Sequence, residues 1–154
     1  MAKKINNNMN EEILAFLRQD ELDYPGAAKK FGAAAVPFLQ EITEGGDENL
    51  STKAAYLLGY IDDAAAKSAL VTAAANKFTT VRIAAAYSAA SQDTETAKSI
   101  LGNLLNDHDY GVIKVAMRSI DEKRLATGLS KELKAVQKRA LPVELKEQVQ
   151  KMLK

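Results

Sequence analysis

Apolar residues recur along this chain at two periods. Within segments they return every third and fourth position. Ile13, Leu14, Phe16 and Leu17 make one such stripe, and Leu125, Leu129, Leu133 and Val136 make another. This is the pattern of helices with one buried face. Between segments they return every 31 residues. Leu39, Leu70 and Leu101 keep that step, as do Ala35, Ala66 and Ala97, Ala54, Ala85 and Ala116, and Leu50, Val81 and Val112. No segment alternates with period two over a useful length, so the predicted fold is all-α. A fixed period of small and aliphatic positions on paired helices marks an α-α superhelix, a solenoid of helical hairpins.

Polar punctuation places the elements. Asn10, followed by Glu11 and Glu12, predicts a helix over 10–20 behind a disordered polar tail, 1–8. Asp23 and Pro25 start a short helix that Gly32 stops. In the partner segment, 32–44, Pro37 either marks a helix start near Val36 or kinks the helix. Segments 48–61 and 64–76 then pair, as do 80–91 and 94–106, with Asp62, Asp63 and Asp93 in the turns. Segment 110–122 opens a further repeat whose second helix is less regular, with Gly128 as a weak point. Pro142 starts a last helix over 143–153. The whole reads as one domain, 1–154, with regular repeats over 22–121. The N-terminal helix, and the irregular repeat and final helix over 122–154, act as caps, because the open ends of a solenoid need one apolar and one wet face.

The stretches VRIAAAYSAA and LLNDHDYGVIKVAMRSI carry a family likeness. The chain resembles the HEAT-repeat family, and more nearly the short bacterial HEAT-like repeats also found in phycobilin lyases. Asp107, Asp109, Val112 and Ala116 match one copy of the pattern, and Val81, Arg82, Ala85 and Ala86 match another. Gly32, Ala35, Val36, Pro37 and Leu39 match the start of a second helix. The pattern's arginine is replaced by Ser51 in one repeat and by Ile113 in another, and Thr79 lacks the preceding aspartate pair. The resemblance implies about four HEAT-like repeats between capping helices, wound into a right-handed solenoid. It also implies that Arg82 bonds turn aspartates of a neighbouring repeat, and that second helices line the concave side.

Composition narrows the chemistry. The chain has no Cys, which removes disulfides, thiolate metal sites and cysteine nucleophiles. His108 is its one histidine and stands between Asp107 and Asp109. A metal site draws three or four ligands from separate places, so this triplet reads as a turn with helix-capping aspartates. Asp62 and Asp63 read the same way. With no strand there is no phosphate loop, and no Ser or Thr stands in a motif with a His. No catalytic residue, metal or cofactor is expected.

Charge is uneven. Five basic and nine acidic residues leave −4 over 1–50; five of each leave zero over 51–107; eleven and six leave +5 over 108–154. The basic end holds Lys131, Lys134, Lys138, Arg139, Lys146 and Lys151, interspersed with Glu132, Glu144 and Glu147 and without aromatics. It therefore reads as a solvated helix face, with nucleic-acid binding as the lesser alternative. No apolar run is long enough for a signal peptide or a membrane span, so a cytoplasmic protein off the membrane is expected.

Two faces remain free. Placing Leu39, Leu70 and Leu101 inward leaves Glu41, Thr72 and Asn103 outward on the second helices, with Pro37, Ser68 and Ser99 beside them. Placing Ala54, Ala85 and Ala116 inward leaves Tyr56, Tyr87 and Arg118 outward on the first helices, near Tyr60 and Ile83. Outward tyrosines at repeat spacing either form part of a partner surface or lie along neighbouring helices and shield the solenoid. The expected function is a monomeric, non-enzymatic scaffold or adaptor binding another protein, an immunity or inhibitor protein included. The resemblance leaves a phycobilin-lyase-like enzyme or subunit as the alternative.

Overall fold

The structure is a computed structural model describing residues 2–154, with side chains from residue 8 onward. All the regular elements among these residues are helical. They are α1 (Ala2–Leu17), α2 (Tyr24–Phe31), α3 (Val36–Thr43), α4 (Glu48–Leu58), α5 (Ala64–Ala73), α6 (Thr79–Ala89), α7 (Thr94–Leu104), α8 (Tyr110–Glu122), α9 (Ser130–Gln137) and α10 (Val143–Met152). Short 3-10 turns, Ala33–Ala35 and Thr127–Leu129, lead into α3 and α9.

Short polar side chains set the helix starts. Asp23, Asp47, Asp63, Asp93 and Asp109 each stand at an N-cap and accept a backbone N–H from the first turn, at 2.9–3.1 Å. Pro37 sits at the start of α3, so that helix begins at Val36 and is not kinked. Gly128 falls in the 3-10 turn before α9, and the irregular second helix is correspondingly short. The N-terminal expectation is corrected. Asn10 lies inside α1 and caps nothing, because no glycine or proline interrupts residues 2–17 and the helix propagates upstream. The expected tail, 1–8, therefore overlaps the first turns of α1; Met1 and the side chains of residues 2–7 lie outside the described residues.

The helices form two layers. In one, α2, α4, α6 and α8 pack side by side; in the other, α3, α5 and α7 pack likewise, and successive helices from α3 to α8 lie against one another across the layers. Helix α1 rests on α2 and α4, while α10 closes over α8 and α9. Leu39, Leu70, Leu101, Ala35, Ala66, Ala97, Ala54, Ala85 and Ala116 are all fully buried, so the period of 31 is the period of the core.

Alanine is used where first helices run closest. At Gly59, the C-cap of α4, an added Cβ would fall 2.7 Å from the Ser88 Cβ on α6. Ala85, near the centre of α6, is fully buried. Ala85→Leu is expected to cost about 1–3 kcal/mol by overpacking, lowering the melting temperature by about 2–4 °C per kcal/mol. Thermal unfolding followed by circular dichroism checks this, and an unchanged midpoint would place Ala85 on the wrong face.

Polar bonds step from repeat to repeat and satisfy the carbonyls left free at helix ends. Asn76 Nδ2 donates to Thr43 O at 2.8 Å, Gln92 Nε2 to Gly59 O at 3.0 Å, and Ser119 Oγ to Ala86 O at 2.7 Å. Ser51, in the arginine position, donates to Ile42 O at 2.7 Å. Arg82 holds that position in the next repeat. Its Nε donates to Asp107 Oδ2 at 2.8 Å and its Nη1 to Asn76 O at 2.9 Å. Both side chains of this ion pair are more than nine-tenths buried. Where Ile113 replaces the arginine, Arg139 reaches back from the end of α9. It donates to Leu105 O at 3.1 Å and Asp107 O at 2.8 Å.

Candidate partner-binding surface

The first-helix layer carries a run of aromatic rings from its N-terminal end to its middle. Phe16 of α1 meets Phe31 and Tyr24 of α2 edge-on, with centroids at 6.4 and 6.0 Å. Tyr24 then stacks parallel to Tyr60 at 5.9 Å, with 3° between the ring planes, and also leans on Tyr56 at 5.9 Å. Tyr56 in turn meets Tyr87 of α6 edge-on at 5.7 Å. Such offset and edge-to-face pairs each add about 0.5–1.5 kcal/mol beyond their buried area and fix ring orientation.

This arrangement separates the outward positions expected on the first helices. Tyr56 is half-buried between Tyr24 and Tyr87, and so supports the face more than it presents it. Ile83 is also half-buried, packed against the core. Tyr87 and Tyr60 remain open, at 56% and 44% exposure, and Arg118 is exposed on α8. Glu41, Thr72 and Asn103 are exposed on α3, α5 and α7. They form a polar row, and among the described residues none of the three bonds to a neighbouring repeat.

Tyr60 stands between two open cavities. One, of about 260 Å³, is lined by Tyr60, Tyr87, Ser88, Ser91 and Glu122 among others. The second, of about 430 Å³, is lined by Tyr60, Asp62, Lys67, Gln92 and Asp93 among others. Lys67 Nζ lies 3.0 Å from Asp93 Oδ2. Hydrogen bonds from the Thr96 backbone and hydroxyl, then the Lys67 ammonium, hold the Asp93 carboxyl well below the usual carboxylate range. Its contribution to folding is therefore present above that range and lost as pH falls below it, through the depressed value of the folded state.

Tyr24 was not apparent as part of this surface from the sequence. It lies 32 residues before Tyr56, one off the repeat step, and belongs to the short first hairpin. Burial, with Tyr56 and Tyr60 beside it, pushes its phenol up to about 12; burial and then Tyr87 raise Tyr56. Because the folded state holds these protons more tightly, their stabilising effect is complete below the ordinary phenol pKa and is lost as pH rises through the raised value. A spectrophotometric titration should show a late-ionising tyrosine that Tyr24→Phe removes. Uniform ionisation of all the tyrosines at the ordinary pKa would contradict the stacked arrangement.

The turn aspartates Asp63, Asp107 and Asp109 are engaged in capping and pairing. His108 is exposed, with Nδ1 3.8 Å from Asp107 Oδ1, and that carboxylate is committed to Arg82. No group of three His, Asp or Glu among the described residues is arranged to hold a metal. Asp63 caps α5, and Asp62 projects into solvent 3.9 Å from Lys67. No helix among the described residues is long and apolar enough to cross a membrane.

Paired helices stacked in two layers, and bonded from repeat to repeat, define a helical solenoid. A family model for HEAT repeats matches residues 35–121. The chain belongs to the HEAT-repeat family. Among solved structures it is similar to a chain in "The structure of the complex of CpcE and CpcF of phycocyanin lyase from Nostoc sp. PCC7120". That likeness has a TM-score of 0.61 at 19% identity and covers 84% of this chain and 86% of the other, which shows the shared fold. No curated protein matches the sequence.

Proposed function

We propose that this chain is a non-enzymatic HEAT-repeat adaptor that binds another protein through the tyrosine face of α4 and α6. The observation that carries this is the pairing of exposure with anchorage. Tyr60 and Tyr87 are open to solvent, yet each is braced by a ring beneath or beside it. Rigid aromatic anchors lose little conformational entropy on binding and dominate interface energetics. The HEAT-repeat architecture itself supports a protein-interaction role, and the relative of similar fold is part of a two-protein complex.

The test is affinity capture from the native host followed by mass spectrometry, with the parent chain beside Tyr60→Ser/Tyr87→Ser. The double variant should lose a partner that the parent retains while remaining folded, its melting temperature lowered only by the loss of the two ring pairs with Tyr24 and Tyr56. Retention of the same partner would move the binding face to the row at Glu41, Thr72 and Asn103. A second reading follows from the fold shared with a phycocyanin lyase subunit: a bilin-handling enzyme or subunit. A stable coloured adduct on mixing the purified chain with bilin would favour it over the adaptor.

A further inference from the structure

We infer that the groove around Tyr60 takes the guanidinium of an arginine presented by the partner protein, an inference that rests on the adaptor reading above. Three independent features converge there. Tyr60 and Tyr87 both line one cavity, Tyr60 with one ring face covered by Tyr24, and the negative face of an aromatic ring attracts cations. Glu122 lines the same cavity, and Asp62 lines the adjoining one with its side chain almost fully exposed. The C-terminal ends of α4 and α6 border the groove at Gly59, Ala90 and Ser91. Helix C-termini carry partial negative charge.

The lining has little to neutralise this charge from within. Among the described residues Lys67 is the one cation that lines it, and that ammonium is held by Asp93. Asp62 and Glu122 thus face the groove with only the 3.9 Å approach of Lys67 to Asp62 between them and an incoming cation. Arginine suits the site better than lysine. Its planar guanidinium can stack on a tyrosine ring and at the same time present N–H groups to a carboxylate.

The test uses a capped Gly-Arg-Gly-Arg-Gly peptide and its citrulline counterpart, which keeps the shape but lacks the charge. Each is titrated into isotope-labelled full-length protein and followed by amide chemical shifts at low ionic strength. The arginine peptide should shift Gly59, Tyr60 and Ser91 together, and the citrulline peptide should not. Asp62→Asn/Glu122→Gln, with its melting temperature checked, should weaken the arginine peptide about fivefold or more, because both exposed carboxylates that border the groove lose their charge. Equal binding by citrulline, shifts centred elsewhere, unchanged affinity in the carboxylate variant, or no binding would each overturn the inference. The two readings fail separately. A carboxylate variant that still captures the partner lost by Tyr60→Ser/Tyr87→Ser removes the arginine and leaves the adaptor standing.

Discussion

Asp107→Ala is expected to lower the unfolding free energy by about 3–5 kcal/mol, the range for removing one member of a buried ion pair. The Arg82 guanidinium would stay behind, more than nine-tenths buried, with Nε facing no acceptor where it now meets Asp107 at 2.8 Å and Nη2 left with Thr79 Oγ1 at 3.4 Å. The loss extends beyond the pair. Asp107 Oδ1 also accepts the Asp109 N–H at 2.9 Å, shaping the turn from which Asp109 caps α8. Chemical denaturation gives the magnitude directly, and the melting temperature should fall by on the order of 10 °C. Removing both partners, as Arg82→Met/Asp107→Leu, should cost less than Asp107→Ala alone, because no uncompensated charge remains. A loss below about 1 kcal/mol for Asp107→Ala would assign the pair the small worth of an exposed salt bridge. That result would contradict the burial described for it.

The second large effect concerns the C-terminal end. Helix α10 buries Leu145 and Val149 completely against α8 and α9, and packs Met152 and Leu153 partly against the core. Full burial of a Leu or Val side chain is worth about 1.5–3 kcal/mol, so the two buried residues alone account for about 3–6 kcal/mol. Deleting residues 142–154 would also uncover apolar surface on α8 and α9, around Leu133, Val136 and Ile120. The truncated chain should unfold at much lower temperature and associate, as read by light scattering on a sizing column. Leu145→Ala/Val149→Ala in the full-length chain keeps the helix and its charges while removing its apolar contacts. It should reproduce most of the destabilisation. A truncated chain that stays monomeric and melts with the parent would show that α10 caps nothing.

Which residues form the core was decided by local pattern. A helical stripe repeated every 31 positions buries Leu39, Leu70 and Leu101 together with Ala54, Ala85 and Ala116, and a repeat fold asks little more of each unit than the same face in the same register. The helix starts were equally legible at Asp23, Asp63, Asp93 and Asp109, because capping depends on residues only two or three positions apart. The resemblance to HEAT repeats also anticipated that Arg82 would meet a turn aspartate. Other relations needed the packed helices. Arg139 reaches carbonyls 32 and 34 residues earlier, replacing an arginine that the fourth repeat lacks, and no local pattern marks it. Tyr24 sits one residue off the repeat step, yet the sideways placement of α2 on α4 lays its ring flat against Tyr60 and half-buries Tyr56. The candidate surface is therefore Tyr60 and Tyr87 with the groove between helix ends. A period fixes which side of a helix faces inward. The offset and rotation between neighbouring helices, set by how their small side chains interlock, fix which outward groups meet.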